Sequence, residues 1–168
     1  ITNVTPNHLN WHTGMEEYTR AKYNVFGSGT ELLVLNAKSP AAAAAADAAT
    51  DFHGAITFFS AHTSSYDKTV PEAHRGSACA VFLRGDSIVF SDGRCEEELL
   101  RREDIKLPGL HNVENYMTAA ALTRGLAEKE DLRHIARTFG GVPHRIELVR
   151  ELDGVKYYNS SIDSTPTR

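Results

Sequence analysis

Apolar positions along the chain change their spacing several times, and each change marks an element. Residues 1–4 form a short β-prone run, and Thr5-Pro6-Asn7 carries turn chemistry, since proline fixes φ and asparagine tolerates a tight backbone. Met15, Tyr18, Lys22 and Val25 then recur at helical spacing and define one face of a helix. Thr13 followed by Glu16 has the form of a capping box and marks the start of that helix. Residues 31–36 are a nearly continuous apolar run of the kind buried in a parallel sheet, with Asn36 at its carboxyl end. The alanine-rich stretch after Lys38-Ser39-Pro40 has high helix propensity and supplies the crossover that parallel strands need. Its small side chains bury little surface, so it is expected to pack loosely, with a face open to solvent.

Residues 55–60 read as the next strand and residues 61–75 as an irregular polar connection. Residues 77–84, 87–90 and 94–100 form a meander that turns at Arg84-Gly85-Asp86 and at Ser91-Asp92-Gly93. Residues 110–122 are a helix. Leu132, Ile135, Ala136 and Phe139 mark a further amphipathic helix, ended by Gly140, whose stripe reads as core packing. After Gly140-Gly141-Val142-Pro143 the pattern alternates and turns at Asp153-Gly154, which predicts a hairpin. The fold class is therefore α/β: part of a mainly parallel sheet flanked by helices, with a small antiparallel β subdomain. An isolated hairpin is marginal in water. Residues 142–168 are thus expected to begin a second domain, after a first one spanning residues 1–141.

The length of 168 residues allows one sizeable core, or one domain and part of another. A net charge of −4 argues against a general nucleic-acid binder. No apolar run is long enough to span a bilayer, and the first residues lack the apolar core of a signal peptide. The chain opens inside a strand-like run, so further chain is expected upstream. Cys79 and Cys95 lack C-x-x-C spacing and a paired histidine motif, so zinc is not expected. One bridge between them stays open, but two reduced cytosolic thiols are the expectation. His53, His62 and His74 match no metal spacing and read as solvated loop residues.

Lys22 is the odd member of the first helical stripe. A lysine among apolar neighbours loses hydration, which favours a neutral, nucleophilic amine able to take up carbon dioxide as a carbamate. The other reading is a side chain that carries its charged end out to water. His8, just before the helix, either aims at the same point or is a surface turn residue. Asn112 and Asn115 share a helix face. They can match the donor–acceptor edge of adenine, or cap a helix start. Ala119, Ala120 and Ala121 let something approach that helix closely.

Three motifs extend the picture. P-N-H-L-N-W-H followed by Y-T-R-A-K, then G-L-H-N-V-E-N, then P-H-R, fall in the order seen in the Mur ligases, and the chain resembles the central domain of that family. The resemblance covers the whole chain and implies a P-loop-type central domain with a small antiparallel subdomain. It implies that His8 contacts magnesium and that Lys22 is carbamylated beside the same ion. It places Asn112 and Asn115 at the adenine of ATP and Arg145 at the γ-phosphate, where a guanidinium suits bidentate contact. From the residues alone, Arg145 also fits a surface ion pair.

Asn10 stands where the family usually has aspartate. In the last motif, N-S-S-I-D-S-T, Ser160 replaces an aspartate expected at the ribose and Ile162 a lysine expected near the reacting phosphate. Either Ser160 or Asp163 serves the ribose, an upstream group compensates, or those roles are lost. The D-glutamate-adding branch of the family is the nearest likeness. It implies UDP-N-acetylmuramoyl-L-alanine and D-glutamate as substrates, ATP and magnesium as cofactors, a cytoplasmic location and a monomer at full length. The family's G-x-x-G-K-T phosphate loop, an acidic metal ligand and most of the D-glutamate-holding domain are absent, so this polypeptide alone is expected to be inactive. Another amide ligase of the superfamily, such as a folylpolyglutamate synthetase, and a non-catalytic nucleotide-binding relative are the other readings.

Overall fold

In a computed structural model, which describes residues 1–6, 10–27, 29–49 and 52–162, five strands lie side by side in sequence order. They are β1 (Leu32–Asn36), β2 (Ala55–Ser60), β3 (Cys79–Arg84), β4 (Ser87–Ser91) and β5 (Glu96–Arg101). β1, β2 and β3 run parallel, with Leu35 opposite Phe58 and Phe58 opposite Ala80. β3, β4 and β5 run antiparallel, so the meander continues the parallel strands within one sheet. Ile1 lies beside β1: its amine donates to the Val34 carbonyl at 2.6 Å, and its carbonyl accepts the Asn36 N–H at 3.1 Å. That is the bonding pattern of a parallel pair around Leu35.

Alternation along β1 and β2 sends side chains to two cores. Leu33, Leu35 and Phe58 meet Ala45 and Ala46 of α2 (Pro40–Ala48) on one face. Val34, Phe59 and Val81 meet Val113, Met117, Ala120 and Ala121 of α4 (Leu110–Thr123) on the other. The alanine helix is not loosely packed. Ala42 and Ala45 are fully buried, because a methyl side chain lets the helix axis come close to the sheet. β5 is covered by α5 (Lys129–Thr138), whose Arg133 Nε donates to the Leu99 carbonyl at 3.1 Å. Among the described residues no helix is long and apolar enough to cross a membrane.

Three local expectations change. The helix α1 (Met15–Tyr23) begins one residue later than the Thr13–Glu16 box implies, because Gly14 takes the cap position. The carboxylate that reaches back is therefore Glu17, which accepts from the Thr13 backbone N–H at 2.7 Å and its hydroxyl at 2.6 Å. Glu16 instead pairs with Arg20 at 3.0 Å. Of the helical stripe only Tyr18 is buried; Lys22 is exposed and Val25 lies exposed beyond the helix end.

The polar connection after β2 is ordered into α3 (Tyr66–Thr69) and a 3-10 turn (Glu72–His74). Its buried hydroxyls Thr63 and Thr69 lie 2.7 Å apart, and the Thr63 carbonyl accepts the Leu83 N–H at 3.1 Å. His53 and His62 are exposed, but His74 is half-buried, 3.0 Å from Asp47 and against the Phe58 ring. Lastly, α5 ends at Thr138, one residue before an extended Phe139, and the left-handed glycine is Gly141. Of its stripe only Ala136 is fully buried; Leu132 is partly so, while Ile135 and Phe139 are exposed.

The hairpin of β6 (Glu147–Leu152) and β7 (Val155–Asn159) turns at Asp153 and Gly154, both at positive φ, and forms its own two-stranded sheet. Cys79 and Cys95 are free thiols, and burial, then Asp92, pushes the Cys79 thiol up.

Overpacking the α2 interface should show in unfolding experiments. Ala45→Leu is expected to cost about 1–3 kcal/mol in urea titration, while the exposed Ala44→Leu stays within roughly 0.5 kcal/mol. The Thr13 hydroxyl, its backbone N–H and His12 hold the Glu17 carboxyl at about 2, below the ordinary 4.5. A depressed acid stabilises the folded helix start above its unfolded value, and that contribution disappears as pH falls from 4.5 through about 2. Carboxyl-resolved NMR titration should show that low midpoint, and Thr13→Val should move it upward.

Candidate functional site

The approach to α4 is shaped by a glycine that nothing else could replace. Gly109 has φ 93° and ψ 149°, a conformation open essentially to glycine alone. A Cβ there would also stand 2.6 Å from the His111 ring. Asn112 Nδ2 donates to the Pro108 carbonyl at 2.7 Å, which locks that side chain. Asn115 Nδ2 in turn donates to Asn112 Oδ1 at 3.3 Å. The asparagines therefore do not cap the helix, whose cap residue is Gly109; they form a short chain along one face. The acceptor of Asn112 is engaged. Asn115, which is exposed, keeps its amide oxygen and one N–H for an outside group.

That face borders a cavity of about 490 Å³. α4 contributes Asn112, Asn115 and Ala119, α5 contributes Ile135 and Phe139 at its end, and the segment beyond contributes Arg145 and Ile146. The size and the mix of apolar walls with few polar groups suit a small organic ligand with a flat apolar portion. The Tyr116 hydroxyl donates to the Ile135 carbonyl at 3.3 Å and fixes α4 against α5.

The Arg145 segment is held in a tight conformation. His144 and Ile146 have φ of 66° and 50°, rare for any residue but glycine and rarest for a β-branched one. Such backbone persists only where its surroundings fix it. Here Asn159 Nδ2 lies 2.9 Å from His144 Nδ1, the Ile162 N–H donates to the His144 carbonyl at 3.3 Å, and the Ile146 N–H donates to Ser160 Oγ at 3.4 Å. The P-H-R and N-S-S-I motifs, apart in sequence, are stitched together.

Of the residues singled out by sequence, Asn112, Asn115 and Arg145 thus meet in one cavity, and Ser160 stands behind it through Ile146. Lys22 is elsewhere: it is exposed on α1, with Nζ 5.1 Å from the centre of the Tyr18 ring. It does not line the larger cavity of about 1050 Å³ between α1 and α2 either. His8 and Asp163 lie outside the described residues. No group of three or more His, Cys, Asp or Glu among the described residues could hold a metal ion.

Three residues escaped the sequence reading. Ile135 and Phe139 have the spacing of core residues, and nothing in that spacing separates a core wall from a cavity wall. Glu114 lies within H-N-V-E-N itself, flanked by the two asparagines' positions. Its Oε2 stands 3.5 Å from Asn36 Nδ2 and its Oε1 3.4 Å from the Ala61 N–H.

A largely parallel sheet with helices on both faces, and an amide-bearing helix opening on a mostly apolar cavity, defines an α/β domain with a candidate ligand site. Residues 1–123 match the model of the Mur ligase middle domain, and the chain belongs to the Mur ligase family. It is 44% identical over 170 residues to the UDP-N-acetylmuramoylalanine--D-glutamate ligase of Acetivibrio thermocellus, a match that covers all of this chain and 33% of the relative. The ligase of the same name from Ruminiclostridium cellulolyticum is 39% identical, again with 100% and 33% covered. The chain therefore spans about a third of the length of the curated relatives it matches. Among solved structures, MurF from Acinetobacter baumannii superposes with a TM-score of 0.65 at 16% identity, over 95% of this chain and 32% of the other. A pseudomurein peptide ligase type C from Methanothermus fervidus gives 0.57 at 17% identity, over 89% and 35%. These two likenesses concern the fold.

Gly109→Ala tests the turn before α4. It is expected to destabilise the protein by about 1–3 kcal/mol in denaturant titration, through the forbidden backbone and the clash with His111.

Proposed function

We propose that this chain is the nucleotide-binding portion of an ATP-dependent ligase that joins D-glutamate to UDP-N-acetylmuramoyl-L-alanine in peptidoglycan precursor synthesis. The observation that carries the reading is the meeting of Asn112, Asn115 and Arg145 around one cavity of a size that fits a purine nucleoside. Asn115 presents a free acceptor and donor to the adenine edge, and Asn112, tied to Pro108, holds it in place. Phe139 and Ile135 offer apolar surface to the ring. Arg145 offers its guanidinium to the γ-phosphate from the opposite wall. Residues 1–141 act as the central domain and residues 142–168 begin the next one, and the cavity lies on the seam between the two.

The reaction so proposed has two steps. The substrate carboxylate oxygen attacks the γ-phosphorus, ADP leaves, and an acyl phosphate forms. The amine of D-glutamate then attacks the acyl carbon, loses a proton, and expels inorganic phosphate to leave the amide. In this scheme Asn112 and Asn115 orient the base, and Arg145 balances charge that builds on the transferred group. Magnesium, when bound, would neutralise the triphosphate, with His8 and carbamylated Lys22 as its proposed holders. The described residues do not by themselves assemble that site. Lys22 is exposed on α1, so the described residues do not supply the apolar surroundings that would favour its neutral amine, and its proposed carbamylation calls on groups other than these. The proposed setting is a cytoplasmic monomer with neither nucleic acid nor membrane as partner.

The test is ATP-dependent phosphate release by the polypeptide that carries this chain in the cell, with both substrates present. Asn115→Ala is expected to raise KM for ATP about ten-fold, and Arg145→Ala to lower kcat about 100-fold or more. With carbon-13 bicarbonate, a carbamate carbonyl signal should appear and vanish in Lys22→Ala. Release with a different amino acid in place of D-glutamate would point to another ligase of the superfamily. The non-catalytic reading is favoured by Ser160 and Ile162. Calorimetric binding of an ATP analogue without any turnover would establish it.

A further inference from the structure

The amide-bearing helix also carries a carboxylate that the nucleotide reading leaves unused. Glu114 is half-buried on the flank of α4 that turns toward the sheet. One oxygen faces the side-chain amide of Asn36 at 3.5 Å and the other the backbone N–H of Ala61 at 3.4 Å. Asn36 closes β1 and Ala61 directly follows β2, so a single side chain bridges the carboxyl ends of two neighbouring parallel strands. Its partners are themselves fixed. Asn36 Oδ1 accepts the Lys38 N–H at 2.9 Å, and on either side of Ala61 the Ser60 Oγ accepts the His62 N–H at 3.0 Å.

The remainder of α4 meets the sheet through Val113, Met117, Ala120 and Ala121, which are apolar. Apolar burial is non-directional, so it constrains the axial position of a helix less sharply than a polar contact does. Contacts between a carboxylate and N–H donors are directional, so even at the long distances of 3.4 and 3.5 Å the pair marks one axial position for the helix. In open parallel sheets, ligands lie beyond the carboxyl ends of the strands. Glu114 thus links that end of the sheet to the turn of α4 that carries the asparagines.

We propose that Glu114 is a positioning residue that sets the register between the base-facing amides of α4 and the carboxyl ends of β1 and β2. One nucleotide then engages both places at once. The inference rests on the nucleotide reading above. It has a particular consequence: removing Glu114 penalises a ligand that spans both places and spares a ligand that occupies only one.

The experiment compares wild type, Glu114→Ala and Glu114→Gln in the polypeptide that carries this chain in the cell. Affinities for ATP, adenosine and inorganic tripolyphosphate are measured by displacement of a fluorescent ATP analogue, with thermal melting of each variant alongside. Glu114→Ala should weaken ATP about ten-fold and leave adenosine and tripolyphosphate within about two-fold. Glutamine keeps one acceptor for the Ala61 N–H and should show a smaller loss. Equal weakening of ATP and adenosine, or unchanged ATP affinity in both variants, would overturn the assignment. A wild type that binds no ATP would instead overturn the nucleotide reading itself.

Discussion

The contact on which the structure turns is the seating of α4 across the parallel strands. Met117 is fully buried, and Val113, Ala120 and Ala121 flank it over Val34, Phe59 and Val81. Burying a side chain of that size stabilises the fold by roughly 1.5–3 kcal/mol. The alanines matter as much as the methionine, because their small size lets the backbone of the helix settle close to the sheet. Once that face is fixed, the opposite side of the first two turns must face outward. The amides of Asn112 and Asn115 are there, and so is the cavity. Core and site are two sides of one helix, and the spacing of residues 112–121 specifies both.

The same helix shows how hydrogen bonding and burial divide the labour. Apolar contacts hold α4 down. Gly109 bends the chain into it, the Pro108 carbonyl holds Asn112, and the Tyr116 hydroxyl ties it to α5. Each polar link satisfies a group that would otherwise lose its water partner at little gain. On the far face of the sheet, α2 achieves its seating with alanine alone.

Much of the architecture was legible in the residues. The strand at 55–60 and the helix around 110–122 lie where periodicity puts them, and the hairpins turn at Gly85, Gly93 and Asp153-Gly154. What escaped was context. Alanine content sets helix propensity and says nothing about burial, so the packing of Ala42 and Ala45 against β1 could not be read. The capping partner shifted from Glu16 to Glu17 because Gly14 competes for the cap. His74 found Asp47 and Phe58 across a long loop, a tertiary pairing without a local pattern. In the site, the motifs named Asn112, Asn115 and Arg145, but their convergence depends on the left-handed turns at His144 and Ile146. Periodicity assigned Ile135 and Phe139 to the core, although they stand on the rim of the cavity.

Gly141, at φ 101°, joins the last helix to the segment that carries Arg145. The walls of the smaller cavity come from both sides of that joint. Whatever fills it touches both, and so works as a clasp: by linkage, a molecule held by two parts lowers the freedom of one relative to the other. Occupancy and rigidity should therefore rise together, and the tail beyond the joint should be quietest when the cavity is full.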